Sequence, residues 1–228
     1  MNKQIQDPFT FKSIFERKQL HSLIGGFVML GIAFVFEHIA SVYALAYSLR
    51  PTSTYVGDLF LDNLPVVNLN LIIVEGALFG ILLGILFLIF NPRYIIFTLK
   101  VTAVFIATRA FFTSLTHIGI YPGQINPGPG PFDAIYSYLN FQTGFFFSGH
   151  TGLPFLTALI FWGKPLPRNI FLWISGIFGV AVLLAHVHYS IDVFAAPFMA
   201  YGIFKICEKV FSRDYELITS APDLPTVA

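Results

Sequence analysis

Two short strings place histidines where they can do chemistry. One is Phe147-Ser148-Gly149-His150-Thr151-Gly152; the other is Ala185-His186-Val187-His188-Tyr189-Ser190-Ile191-Asp192-Val193. His188 and Asp192 stand four residues apart, so on a helix that starts early enough they share a face and the carboxylate holds one imidazole nitrogen. Such a partner fixes the tautomer, orients the ring and stabilises positive charge as the other nitrogen attacks, which turns an imidazole into a nucleophile. Ser148 and Gly149 precede a helix whose free N–H groups and positive dipole end favour an anion by ~0.3–1 kcal/mol, more where water is excluded. The anion meets His150 there. His150 is then a candidate general acid for a leaving oxygen, and Arg109 supplies a planar fork for phosphate oxygens.

The elements that must position these groups are membrane helices. The chain has 228 residues, 56% of them hydrophobic, 17% aromatic and 11% charged, against roughly 25% charged in soluble domains. That composition excludes a water-soluble globule. A net charge of +1, from 13 Lys and Arg against 12 Asp and Glu, leaves no basic excess for a nucleic-acid backbone, so no nucleic-acid partner is expected. The single cysteine, Cys207, allows no internal disulfide.

A helix crossing a hydrocarbon core of ~30 Å needs about 20 mostly apolar residues, fewer where its end lines a polar cavity. Six stretches qualify: Leu20–Tyr47, Leu69–Phe90, Tyr94–Leu115, Phe145–Trp162, Ile170–Ala185 and Ile191–Cys207. The expected fold is therefore all-α, a polytopic membrane protein with six transmembrane helices. Residues 1–19 form a cytoplasmic N-terminal segment, 20–209 the catalytic membrane domain, and 210–228 a cytoplasmic disordered tail that carries Pro222 and Pro225. The first nineteen residues are too polar, and the first apolar run too long, for a cleaved signal, so span one is expected to stay as an anchor.

With six spans, Lys3, Lys12, Arg17, Lys18, Arg93, Lys100, Lys164, Arg168, Lys205, Lys209 and Arg213 all fall on one side, leaving only Arg50 and Arg109 for the other half. Positive charge stays cytoplasmic, so both termini are expected inside. Gly76, Gly80 and Gly84, at four-residue spacing, predict close helix packing by span two. The stretch from Thr116 to Gly144, rich in Pro and Gly, predicts an irregular cover over the outer face.

On this topology the ionisable residues within the spans gather on the outer side. Glu37 and His38 lie in the outer half of span one, and Glu75 and Arg109 lie about 9 Å inward from their span ends at ~1.5 Å per residue, deep enough to pair. His150 opens span four, His186 and His188 close span five, and Asp192 opens span six. A charge at the bilayer centre costs at least ~2.5–3.5 kcal/mol, so such groups face the bundle interior and are paired or functional. For any one of them a buried pair that fixes helix packing is sufficient explanation, and for Glu37 and His38 that is the favoured one. His117 reads as a loop residue and His21 as an interfacial one. The cluster as a whole points to a site on the extracytoplasmic face.

Ser148-Gly149-His150 resembles the central motif of the type-2 phosphatidic acid phosphatase superfamily, and His188-x-x-x-Asp192 its C-terminal motif. The chain is more similar to the sphingomyelin synthase branch, which carries strings like Phe147–Thr151 and His186–Val193, an acidic residue in the second span like Glu75, and an arginine followed by a Pro-Gly stretch like Arg109 and Leu115–Gly123. The segment from Asp58 to Pro65 resembles that branch's Pro-Leu-Pro-Asp segment. The likeness covers about residues 58–200.

The resemblance implies that His188 is the nucleophile of a phosphohistidine intermediate, Asp192 its orienter and His150 the acid for the departing hydroxyl. Arg109, Glu75, Ser148, Gly149, His186 and Tyr189 then bind substrate. It implies an integral membrane lipid phosphotransferase that moves a phospho-headgroup between membrane lipids, with no metal and no cofactor. The alternative is a lipid or polyprenyl phosphate phosphatase with water as acceptor. The phosphatase branch's Lys-x6-Arg-Pro motif and its Ser-Arg pair are absent, Ala181 and Val182 standing in that neighbourhood, which favours transfer. The synthase branch's Cys-Gly-Asp is replaced by Phe141-Gln142-Thr143-Gly144, and Thr108 replaces its tyrosine, so sphingomyelin itself is not implied. Two further readings stand behind these: a zinc site from His186, His188, Asp192 and His150, and a non-catalytic transporter or scaffold.

Overall fold

A computed structural model of the chain describes residues 9–125 and 146–220. Among them every regular element is helical. A 3-10 turn, Phe11–Phe15, leads into α1, Arg17–Ser48; α2 is Gly76–Phe90, entered through a π-helical turn, Leu71–Glu75. Then follow α3, Ile95–Leu115, α4, Gly149–Ile160, α5, Pro165–Leu184, α6, Ser190–Val210, and α7, Ser212–Thr219.

Five helical stretches are long and apolar enough to cross a membrane: Arg17–Ser48, Leu71–Phe90, Pro92–Leu115, Pro165–Leu184 and Ser190–Val210. They make the chain an all-helical, multi-pass membrane protein. The expected fourth span differs. Its described helix, α4, has 12 residues, about 18 Å at ~1.5 Å per residue, well short of a ~30 Å core. Ser148 caps this helix, so its N-terminus is fixed at the site.

The apolar side chains divide by environment. Phe27, Val35, Phe79, Leu82, Phe198 and others on α1, α2 and α6 face outward, as lipid-facing surfaces do where the tails are as apolar as the protein. Inward, α3, α4 and α6 share an aromatic core. Tyr94 stacks on Phe161 with ring centroids 4.7 Å apart, and Phe97 meets Phe204 and Phe105 meets Phe147 edge to face. α2 joins the bundle through its small-residue stripe. Methyl groups built on Gly76, Gly80 and Gly84 would lie 3.1, 4.0 and 3.6 Å from Phe178, Ile174 and Phe171 of α5, the close packing that their spacing predicts.

The segment expected as a disordered tail is helical over Ser212–Thr219. Charge and packing both hold it. Asp214 accepts from Lys100 Nζ of α3 at 2.6 Å and from Ser22 Oγ of α1 at 2.7 Å, while Ile218 is buried in the core. Pro222 and Pro225 lie outside the described residues, as does the outer cover beyond residue 125.

Candidate active site

The two histidine strings are joined by backbone. Ser148 is the N-cap of α4; its Oγ accepts from Thr151 N–H at 3.4 Å, and its own N–H donates to the carbonyl of Asp192 at 3.0 Å. Ser and Gly fit here for separate reasons. The hydroxyl satisfies one orphan N–H of the first turn. At Gly149 a methyl group would stand 3.4 Å from Arg109 Nε, so the missing side chain lets the guanidinium lie against the helix N-terminus.

Asp192 occupies the third position of α6, and its Oδ2 lies 3.3 Å from His188 Nδ1 and 3.1 Å from Tyr189 N–H. The expected contact is present but its cause differs. α6 starts at Ser190, so His188 precedes the helix and shares no helical face with Asp192; the carboxylate instead folds back as a cap on the chain entering the helix. A carboxylate oxygen accepts, so in the neutral ring this contact favours the tautomer with the proton on Nδ1 and a lone pair on Nε2. His150, one residue into α4 beyond Gly149, brings its ring centroid to 6.1 Å from that of His188, with the planes inclined by 67°. His150, His188 and Asp192 are all buried.

Arg109 is buried beside them. Its Nε donates to the carbonyl of Phe147 at 3.1 Å, and its Nη1 forms an ion pair with Glu37 of α1. The carboxylate that meets this arginine is therefore Glu37 and not Glu75. Among the described residues Glu75 forms no ion pair. It stands at the junction of the π turn and α2, one layer removed: Phe178 packs against the adjacent Gly76 and edge-on to His150 at 6.0 Å. No described contact brings Glu75 to the histidines.

The loops that follow α1 and α3 brace the site. Tyr189, expected to bind substrate, instead donates its hydroxyl to Gly119 O at 2.9 Å and accepts from Val56 N–H at 3.3 Å. Asp58 Oδ2 accepts from Ser190 N–H at 2.7 Å, the first residue of α6, while its Oδ1 accepts from Phe60 and Leu61. Burial pushes the Asp58 carboxyl up, but these donors outweigh it and hold it below its ordinary value. Tyr121 donates to Asp62, and that bond, then burial, pushes its phenol up to about 12. Asp58 and Asp62 lie in the Asp58–Pro65 segment and Tyr121 in the Leu115–Gly123 stretch that carry the resemblance, but neither stretch marks these residues as braces of the site. An arginine at that depth calls for a carboxylate, but charge alone does not choose Glu37 over Glu75.

His186 sits at the turn between α5 and α6 with φ +53°, its ring edge-on to Tyr121 at 5.3 Å. His117 is more than a loop residue: it stacks on Tyr47 with centroids 4.0 Å apart, and its Nε2 lies 2.8 Å from Tyr43 Oη. Among the described residues no three His, Cys, Asp or Glu side chains are disposed to share a metal ion.

No protein-family model and no curated protein matches this chain. The residues therefore carry the functional argument by themselves. They bring together an imidazole oriented by a carboxylate, a second imidazole facing it, a helix N-terminus and an arginine, a set suited to nucleophilic displacement at an anionic centre.

Proposed function

We propose that the protein is an integral membrane lipid phosphotransferase, similar to the sphingomyelin synthase branch of the type-2 phosphatidic acid phosphatase superfamily. His188 Nε2 attacks the phosphorus of a donor lipid and the phosphoester oxygen leaves, taking a proton from His150. The phosphohistidine then passes its group to the hydroxyl of a second lipid: His150 removes the hydroxyl proton, the new P–O bond forms and the N–P bond breaks. Asp192 holds the Nδ1 proton throughout and stabilises the positive charge on the ring. Arg109 and the α4 N-terminus bear the phosphate charge. Six spans, with α4 and its flanking residues as the fourth, put both termini on the cytoplasmic side and the site on the extracytoplasmic face.

The observation that supports this reading most is the pairing of His188 with Asp192 at 3.3 Å while His150 faces the same ring at 6.1 Å. One phosphoryl group can touch both imidazoles at that spacing. Oriented acid and nucleophile groups each contribute about 10²–10⁴-fold. The test is product analysis of the purified protein in vesicles of defined phospholipid and a neutral lipid alcohol. A new phospholipid made by wild type, and lost in His188→Ala, His150→Ala and Asp192→Asn with folding intact, is the expected result. Free phosphate or phospho-alcohol with no new lipid assigns the same histidines to hydrolysis, and activity in all three variants contradicts the site.

A further inference from the structure

The phosphoryl chemistry leaves one buried imidazole without a role. His186 is 4% exposed, and among the described residues neither of its ring nitrogens has a hydrogen-bond partner. Burying such a ring unpaired is costly. Its conformation is not a slack one: the chain around it is fastened on both sides, Val67 N–H donating to Leu184 O at 2.8 Å, Ile125 N–H to Ala185 O at 3.1 Å and His186 N–H to Leu183 O at 3.0 Å. These bonds hold His186 in the left-handed region, which few side chains other than Asn, Asp and His adopt.

The surroundings define what such a ring can take. Its neighbour Tyr121 belongs to an apolar cluster with Leu61, Ile73 and Tyr189, and the charged groups described around Tyr121 are the carboxylates of Asp62, bonded to it, and Asp58, bonded to Ser190. No described contact of Tyr121 or His186 is with a Lys or Arg. Carboxylates without a cation repel a phosphate, whereas Arg109 and the α4 N-terminus offer one a place elsewhere. A neutral imidazole presents one donor and one acceptor nitrogen, and the uncharged lipid group that suits either is a hydroxyl.

We infer that His186 recognises the uncharged hydroxyl of a neutral lipid alcohol as it enters on the Tyr121 side of the site. The inference rests on the proposed function for the use of that alcohol as acceptor, but the binding itself does not require the chemistry. The experiment is equilibrium binding of dioctanoylglycerol to the full-length protein in nanodiscs, scored per folded molecule, for wild type and for His186→Ala and His186→Asn. One lost hydrogen bond predicts binding weakened about tenfold in His186→Ala. His186→Asn, which keeps a donor and an acceptor and tolerates the left-handed backbone, stays within about threefold of wild type.

Equal affinity in wild type and His186→Ala, or no binding to wild type, overturns the inference. Dioctanoylglycerol binding that depends on His186 in a protein that never carries phosphate on His188 contradicts the proposed function alone. Phosphate on His188 without His186-dependent binding contradicts this inference alone.

Discussion

The backbone N–H of Ser148 donates to the carbonyl of Asp192 at 3.0 Å. That bond ties the cap of α4 to the first turn of α6, so the helix that carries His150 cannot move independently of the carboxylate that orients His188. Asp192 thus serves the site twice, by side chain and by backbone. Replacing it with Asn keeps the backbone bond and the size of the side chain but removes the negative charge that stabilises an imidazolium. Turnover of Asp192→Asn should fall about 10²–10⁴-fold, with the thermal midpoint nearly unchanged. A midpoint that collapses along with activity would make Asp192 a structural cap only.

Glu37 and Arg109 join α1 to α3 beside the site. Removing one partner of a buried pair strands the other charge, at about 3–5 kcal/mol. Glu37→Leu should therefore unfold at markedly lower temperature than wild type, and Glu37→Leu/Arg109→Leu should recover part of the loss. The double-variant cycle measures the coupling. The double variant remains inactive if the guanidinium also bears phosphate charge.

Gly152 faces Phe105 so closely that a methyl group there would lie 2.8 Å from its ring. Gly152→Ala forces the ring or α4 to shift, at about 1–3 kcal/mol. Thermal unfolding should show the loss, and Phe105→Leu in the same chain should return part of it by making room. No recovery would place the strain elsewhere.

Asp58 accepts the first N–H of α6, and its carboxyl is held below the ordinary value of 3.8. Stability from this contact is fully present above that value and is lost as pH falls below it, through the lowered value of the folded protein. Hydrogen exchange of the Ser190 and Phe60 amides should accelerate as pH drops through that window, beyond the intrinsic trend. In Asp58→Asn the excess acceleration should vanish; if it persists, another group titrates.

Much of this was legible in the sequence because it is local or compositional. Helix positions follow from apolar runs broken at Asn91-Pro92 and Gly163-Lys164-Pro165, and the meeting of His188 with Asp192 follows from their proximity along the chain. What stayed hidden depends on tertiary partners. Arg109 has carboxylates at comparable depth on two helices, and periodicity cannot choose Glu37 over Glu75; packing of α1 on α3 does. Ser212–Thr219 reads as polar tail, since its order comes from Lys100 and Ser22 far away in sequence. The brace from Asp58 to Ser190 joins the loop after α1 to α6, and no spacing rule reaches across that distance. The Tyr189 hydroxyl also bonds to Gly119 and Val56, contacts that its place beside His188 does not reveal.

The proposed transfer requires that His188 become covalently phosphorylated. Incubating the purified full-length protein with a phospholipid donor labelled at phosphorus, then quenching in alkali, reads this out. Label is expected on His188 that survives alkali, is released by acid, disappears in His188→Ala and is discharged by added lipid alcohol. Turnover by wild type with no such label under single-turnover conditions, or label that persists in His188→Ala, would contradict it.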